Sequence, residues 1–97
     1  MTGWAEWVYS FYARAAEDNR LSPAHVALYF ALLHEAGHTY AIPFYLNRAA
    51  VMAKAKIYSS VTMNKSLRAL HEYGYIEYRP SYKPGESMVG MVMLDNV

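Results

Sequence analysis

At 97 residues, 55% hydrophobic and 18% charged, the chain is sized for one domain with a small core. The net charge is +1, and the lack of cysteine excludes a disulfide framework and a thiolate metal site and fits a reducing, cytoplasmic setting. No apolar run approaches the roughly 20 residues of a membrane span, and the opening Trp4, Glu6 and Trp7 lack the basic-then-apolar order of a signal peptide.

In chain order, Trp4, Trp7, Val8, Phe11, Tyr12 and Ala15 recur at three- and four-residue spacing. That spacing predicts a first helix over about residues 3–18. Ser22 is placed as an N-cap with Pro23 at the first helical position. The second helix, about residues 23–36, is apolar on most sides through Val26, Ala27, Leu28, Tyr29, Phe30, Ala31, Leu32 and Leu33. Such a helix is central and buried, and Gly37 is placed to end it.

The end of this helix, His34-Glu35-Ala36-Gly37-His38, spells H-E-x-x-H, the zinc-hydrolase signature. The expected stop at Gly37 breaks the face the two histidines would share. A catalytic zinc also needs a third protein ligand; His25 lies more than two helical turns back, and His71 belongs to a later helix. The pair reads instead as helix-end histidines at the negative end of the dipole. No phosphate loop, cofactor fingerprint or organised triad appears elsewhere, so no enzyme, metal or cofactor is expected.

Residues 39–46, with Pro43, read as extended or irregular. Asn47 can cap a third helix over about residues 48–54. A turn at residues 55–58 leads to a fourth helix, capped by Ser59 or Ser60 and ending at Gly74. Met63, Leu67 and Leu70 at i, i+4 and i+7 make its buried face, with Ser66 close by. The other side carries Ser60, Val61, Asn64, Lys65 and Arg68, with Thr62 at the edge. Asn suits an adenine edge, Lys and Arg suit guanine, and Val or Thr methyls suit the thymine methyl. Ser59, Ser60 and the helix N-terminus can hold a phosphate. Residues 60–65 stand nearer the bases than Arg68.

Residues 75–79 alternate as a strand, with Ile76 and Tyr78 on one face and Tyr75, Glu77 and Arg79 on the other. Two prolines and a glycine make residues 80–87 a turn, and residues 88–94 return antiparallel. Helix, tight turn, helix, strand, loop and strand compose a helix-turn-helix followed by a wing. The expected fold is therefore α+β, mostly helical: one winged helix-turn-helix domain over 1–97. Its parts are an added N-terminal helix in 1–19, the helix-turn-helix in 47–74 and a C-terminal β-hairpin wing in 75–94. Arg48, Lys54 and Lys56 near the third helix, and Arg79, Tyr82 and Lys83 in the wing, are candidates for the DNA backbone. Residues 48–83 hold seven Lys and Arg against two Glu, a local charge of +5 that the total conceals.

The strings LSPAHVALYFALL, NRAAVMAKAKI, SSVTMNKSLRALHEYGYIEY and PSYKP resemble a family of small bacterial winged-helix transcriptional regulators, many associated with mobile genetic elements. The resemblance covers roughly residues 21–94. Its most specific parts are Ser59, Thr62 and Lys65, the string Leu70-His71-Glu72-Tyr73-Gly74-Tyr75-Ile76, and Pro80-Ser81-Tyr82. It implies a winged-helix fold and a DNA-binding role. The chain departs from the family in its short, acid-bearing wing, Pro84-Gly85-Glu86-Ser87, and in the histidine motif ending the second helix.

The expected function is sequence-specific double-stranded DNA binding in transcriptional regulation. A homodimer through the N-terminal aromatic helix would set two reading helices about one DNA turn apart; the competing use of that stripe is to cover the core. One alternative function is a winged-helix protein-interaction module, which the modest basicity and Glu86 favour. The other is a replication or excision accessory factor of a mobile element.

Overall fold

The computed structural model describes residues 3–37 and 42–94, and local chemistry accounts for where most of its elements begin and end. α1 (Trp4–Ala15) stops short of the expected residue 18 because the amides of Glu17 and Asp18 bond back to the carbonyls of Arg14 and Ala15, a tighter turn than the α-helix. α2 (Pro23–Ala36) opens on a capping box. The His25 amide donates to the Ser22 hydroxyl, and the Ser22 amide donates to His25 Nδ1, so a histidine stands where Glu or Gln is usual. Gly37, at φ 58°, closes it.

α3 (Arg48–Ala55) is capped by Asn47, which accepts from the Ala50 amide at 3.1 Å. α4 (Ser60–Glu72) is capped by Ser59, which accepts from the Thr62 amide at 3.2 Å. Both helices end on a left-handed residue that lets the next amide reach back. Past Lys56, Ile57 donates to the Met52 carbonyl at 3.0 Å; past Gly74, Tyr75 donates to the Leu70 carbonyl at 2.9 Å. Glycine suits position 74 because φ is 84°; a Cβ there would also meet Arg14 Nη2 at 3.3 Å and displace it by a few tenths of an ångström.

β2 (Ile76–Arg79) and β3 (Met88–Met91) pair antiparallel, with Ile76 opposite Met91 and Arg79 opposite Met88. The segment expected to be extended or irregular supplies a third strand. Its residues 39–41 lie outside the described residues, but β1 (Phe44–Tyr45) pairs with β3, giving the order β1-β3-β2. Two residues are too few to show a periodicity; pairing to the free edge of β3 defines this strand. Among the described residues the fold is thus α+β and mostly helical, with four α-helices and one three-stranded antiparallel sheet. None of these helices is long and apolar enough to cross a membrane.

α2 is the central element, packed on α3, α4 and β3. Its Leu28, Tyr29, Leu32 and Leu33 meet Val51, Met63, Leu67, Leu70, Ile76 and Val89 in one core. α1 contributes Trp7 and Phe11, the Phe11 ring stacked at 3.9 Å on Tyr29 and edge-on to Tyr75 at 5.5 Å. Trp4 and Tyr12, assigned to the same face by spacing, are instead 46% and 55% exposed. An outer helix buries only a narrow stripe, and Tyr12 lies at its rim against Phe30.

Tyr75 departs from the strand alternation as well. The Gly74 turn drops its ring into the core, and β2 begins one residue later. Its hydroxyl donates to Asp18 Oδ2 at 2.9 Å, and Arg20 grips the same carboxylate at 2.8 and 2.9 Å. The Arg20 guanidinium, with this hydroxyl, holds the Asp18 carboxyl well below the usual range. Burial, and then Asp18, push the Tyr75 phenol up to about 12. Arg14 donates to the Tyr73 carbonyl at 2.7 Å and stands over the Tyr75 ring. The link from α1 to α2 is thereby fastened to the end of α4.

Candidate nucleic-acid interface

α4 is divided along its length by chemistry. Met63, Leu67 and Leu70 are wholly buried and Ser66 nearly so, on the side that faces α2. Ser59, Ser60, Val61, Thr62, Asn64, Lys65 and Arg68 are all exposed, so no other part of the described chain covers them. The first turn presents hydroxyls and a Val methyl; the next presents an amide and a cation. Two of them are already engaged: the Ser59 hydroxyl oxygen as the helix cap, and the Asn64 amide oxygen by Arg48.

The expected cations divide into engaged and free. Lys54 is ion-paired with Glu35, and Arg79 with Glu77 at 2.6 Å. Arg48, first residue of α3, is half-buried and forked: Nη1 donates to Asn64 Oδ1 and Nη2 to the Tyr78 hydroxyl, each at 2.7 Å. Lys56, Lys65, Arg68 and Lys83 are exposed and have no acidic partner among the described residues. Lys56 sits in the turn before α4; Lys65 and Arg68 sit on its outer face.

The β2–β3 loop stands beside that face. Ser81 and Ser87 brace it: the Ser81 amide donates to Ser87 Oγ at 3.0 Å, and the Lys83 amide to Ser81 Oγ at 3.1 Å. Gly85, at φ 77°, makes its bend. Tyr82 and Lys83 project from it into solvent. A cleft of about 220 Å³ lies between Arg68 and the loop residues Pro80, Ser81 and Tyr82. A larger groove of about 550 Å³ is bordered by the same loop, β1 and the start of α3.

Tyr45 borders that larger groove and is 64% exposed, a position the sequence reading missed. Phe44, Tyr45 and Leu46 are all apolar, so nothing in the sequence marks the middle ring as the exposed one; the structure makes them half-buried, exposed and buried in turn, up to the Asn47 cap.

The H-E-x-x-H segment is only partly described, since His38 lies outside the described residues. Its Glu35 is occupied by Lys54, and its helix ends before Gly37. Among the described residues no three His, Cys, Asp or Glu side chains gather as a metal site. Comparison of the whole chain with protein families, curated proteins and solved structures gives no match.

Proposed function

We propose that this protein binds double-stranded DNA as a winged-helix regulator of transcription, with α4 in the major groove and the β2–β3 loop as the wing. One observation carries the reading: the outer face of α4, from Ser60 to Arg68, is polar, basic and uncovered beside a projecting loop that carries Lys83, while Met63, Leu67 and Leu70 on its opposite face are wholly buried. An α-helix fits the major groove, and hydroxyl, amide and cationic side chains are what base edges and phosphates accept. Lys56 and Lys83 then lie on either side of the reading face as phosphate contacts, with Tyr82 at the wing tip.

The test is titration of labelled duplexes with the purified protein, using sequences selected from a random pool. Lys65→Ala and Arg68→Ala should each weaken the selected duplex by about 1–3 kcal/mol where the contact is specific. Unchanged affinity in both folded variants would assign the face wrongly. A role as replication or excision factor of a mobile element involves the same DNA contact and differs only in where the selected sequence lies.

The second reading is a protein-binding module. It draws on the ion pairs at Lys54 and Arg79, on Glu86 in the loop, and on the exposed rings of Tyr45, Tyr58 and Tyr82. Duplex affinity that ignores salt favours it. Exposed Trp4 and Tyr12 on α1 supply the apolar surface for a homodimer; elution at monomer mass at working concentration counts against that seam.

A further inference from the structure

We infer that Arg48 is a positioning residue that sets which base Asn64 reads, and that the pair selects guanine rather than adenine. This rests on the DNA-binding reading of α4. Left alone, an asparagine on a reading helix pairs with adenine, its oxygen accepting from the base amino group and its nitrogen donating to N7. Asn64 is not left alone. Arg48 Nη1 reaches it at 2.7 Å, and arginine has no acceptor, so the amide atom facing it is the oxygen. The other end of the same guanidinium donates to the Tyr78 hydroxyl at 2.7 Å. Tyr78 is buried on β2, so a ring fixed in the core holds the fork, and the fork holds the amide.

Two consequences follow for an approaching base. The amide oxygen of Asn64 is turned toward a cationic donor of the protein, which leaves its amide hydrogens as the free groups. The Arg48 guanidinium, 2.7 Å from that oxygen, adds its positive charge nearby. The combination presents hydrogen-bond donors beside a positive charge. Guanine offers two acceptors, N7 and O6, on its major-groove edge; adenine offers N7 but sets its amino group against donors. Arg48 therefore acts here through Asn64, not through a phosphate.

Selection from a random duplex pool, repeated with variants, tests this. Asn64→Ala identifies the position Asn64 controls, as the one whose preference disappears. In the wild type that position should be guanine. In Arg48→Ala the freed amide should shift it toward adenine, changing the ratio of the two bases by about tenfold. Tyr78→Phe, which removes only the far anchor and no DNA-facing group, should weaken the guanine preference at the same position. In Arg48→Ala the dependence of log affinity on log salt should keep its slope; a phosphate contact would lower the slope by about one. Adenine at the Asn64 position of the wild type overturns the inference, as does a lowered slope with the base preference unmoved. Complete absence of duplex binding by the wild type overturns both this inference and the reading beneath it, and so is distinguishable from duplex binding with the wrong base.

Discussion

A buried tyrosine and a half-buried histidine make opposite demands on the protein. Tyr29 has no solvent exposure, and its hydroxyl finds no hydrogen-bond partner among the described residues. Burial pushes its phenol well above the usual range, the mark of a polar group without compensation. Removing such a group relieves a desolvation cost while the ring keeps its stack on Phe11. Tyr29→Phe should therefore raise stability by about 1 kcal/mol, read as a higher Tm; a lower Tm would mean that the hydroxyl holds an ordered water. His25 is the converse. Its Nδ1 accepts the Ser22 amide, which requires a neutral ring, and burial lowers its pKa. The folded value lies below the unfolded value of about 6.5. Its contribution is thus complete above about pH 6.5 and lost as pH falls through the folded value. Tm should fall between about pH 7 and pH 5. His25→Gln, which keeps an acceptor at the same capping position but does not titrate, should flatten that fall. Equal slopes in the two proteins would remove His25 from the cause.

At the scale of elements, the turn between α3 and α4 holds the main strain. Lys56 adopts φ 61° and ψ 35°, a conformation that costs a side-chain-bearing residue about 1–2 kcal/mol. The corresponding place after α4 is Gly74, where that cost is absent. Lys56→Gly should stabilise the fold by about 1 kcal/mol and, by removing one free cation, weaken duplex binding. Stability and affinity moving in opposite directions is the signature of a residue kept for its charge. A parallel loss of both would mean that the Lys56 side chain supports the turn. The same elements show what sequence signals do well. Ser22, Pro23, Asn47, Ser59, Gly37 and Gly74 stand at helix ends because cap and stop chemistry is local. β1 escaped notice because its partner strand lies far along the chain.

Across the whole molecule, charge placement outweighs charge total. Seven Lys and Arg crowd residues 48–83, but Lys54 and Arg79 are ion-paired, and Arg48 is committed to Asn64 and Tyr78. The other four of the seven, Lys56, Lys65, Arg68 and Lys83, have no acidic partner among the described residues. Log affinity for duplex DNA should then fall with log salt at a slope near −4, each phosphate contact adding about −0.9. A slope clearly steeper than about −5 would show the exposed ion pairs opening onto phosphate. A slope near zero would move the function to the protein-binding reading.

The alternation of apolar and polar residues on α4 was sufficient to divide it into a core face and an outer face, since a helix repeats every 3.6 residues whatever surrounds it. The amount of apolar surface on α1 was likewise evident, but not which of its rings would be buried. Trp7 and Phe11 go in while Trp4 and Tyr12 stay out, because only the shape of α2 and the position of Tyr75 decide how wide a stripe is covered. The inward turn of Tyr75, the pairing of β1 with β3, and the fork from Arg48 to Asn64 and Tyr78 join residues that no local periodicity connects. Local chemistry sets where helices start and stop; which cations remain free depends on partners that meet only when the chain is folded.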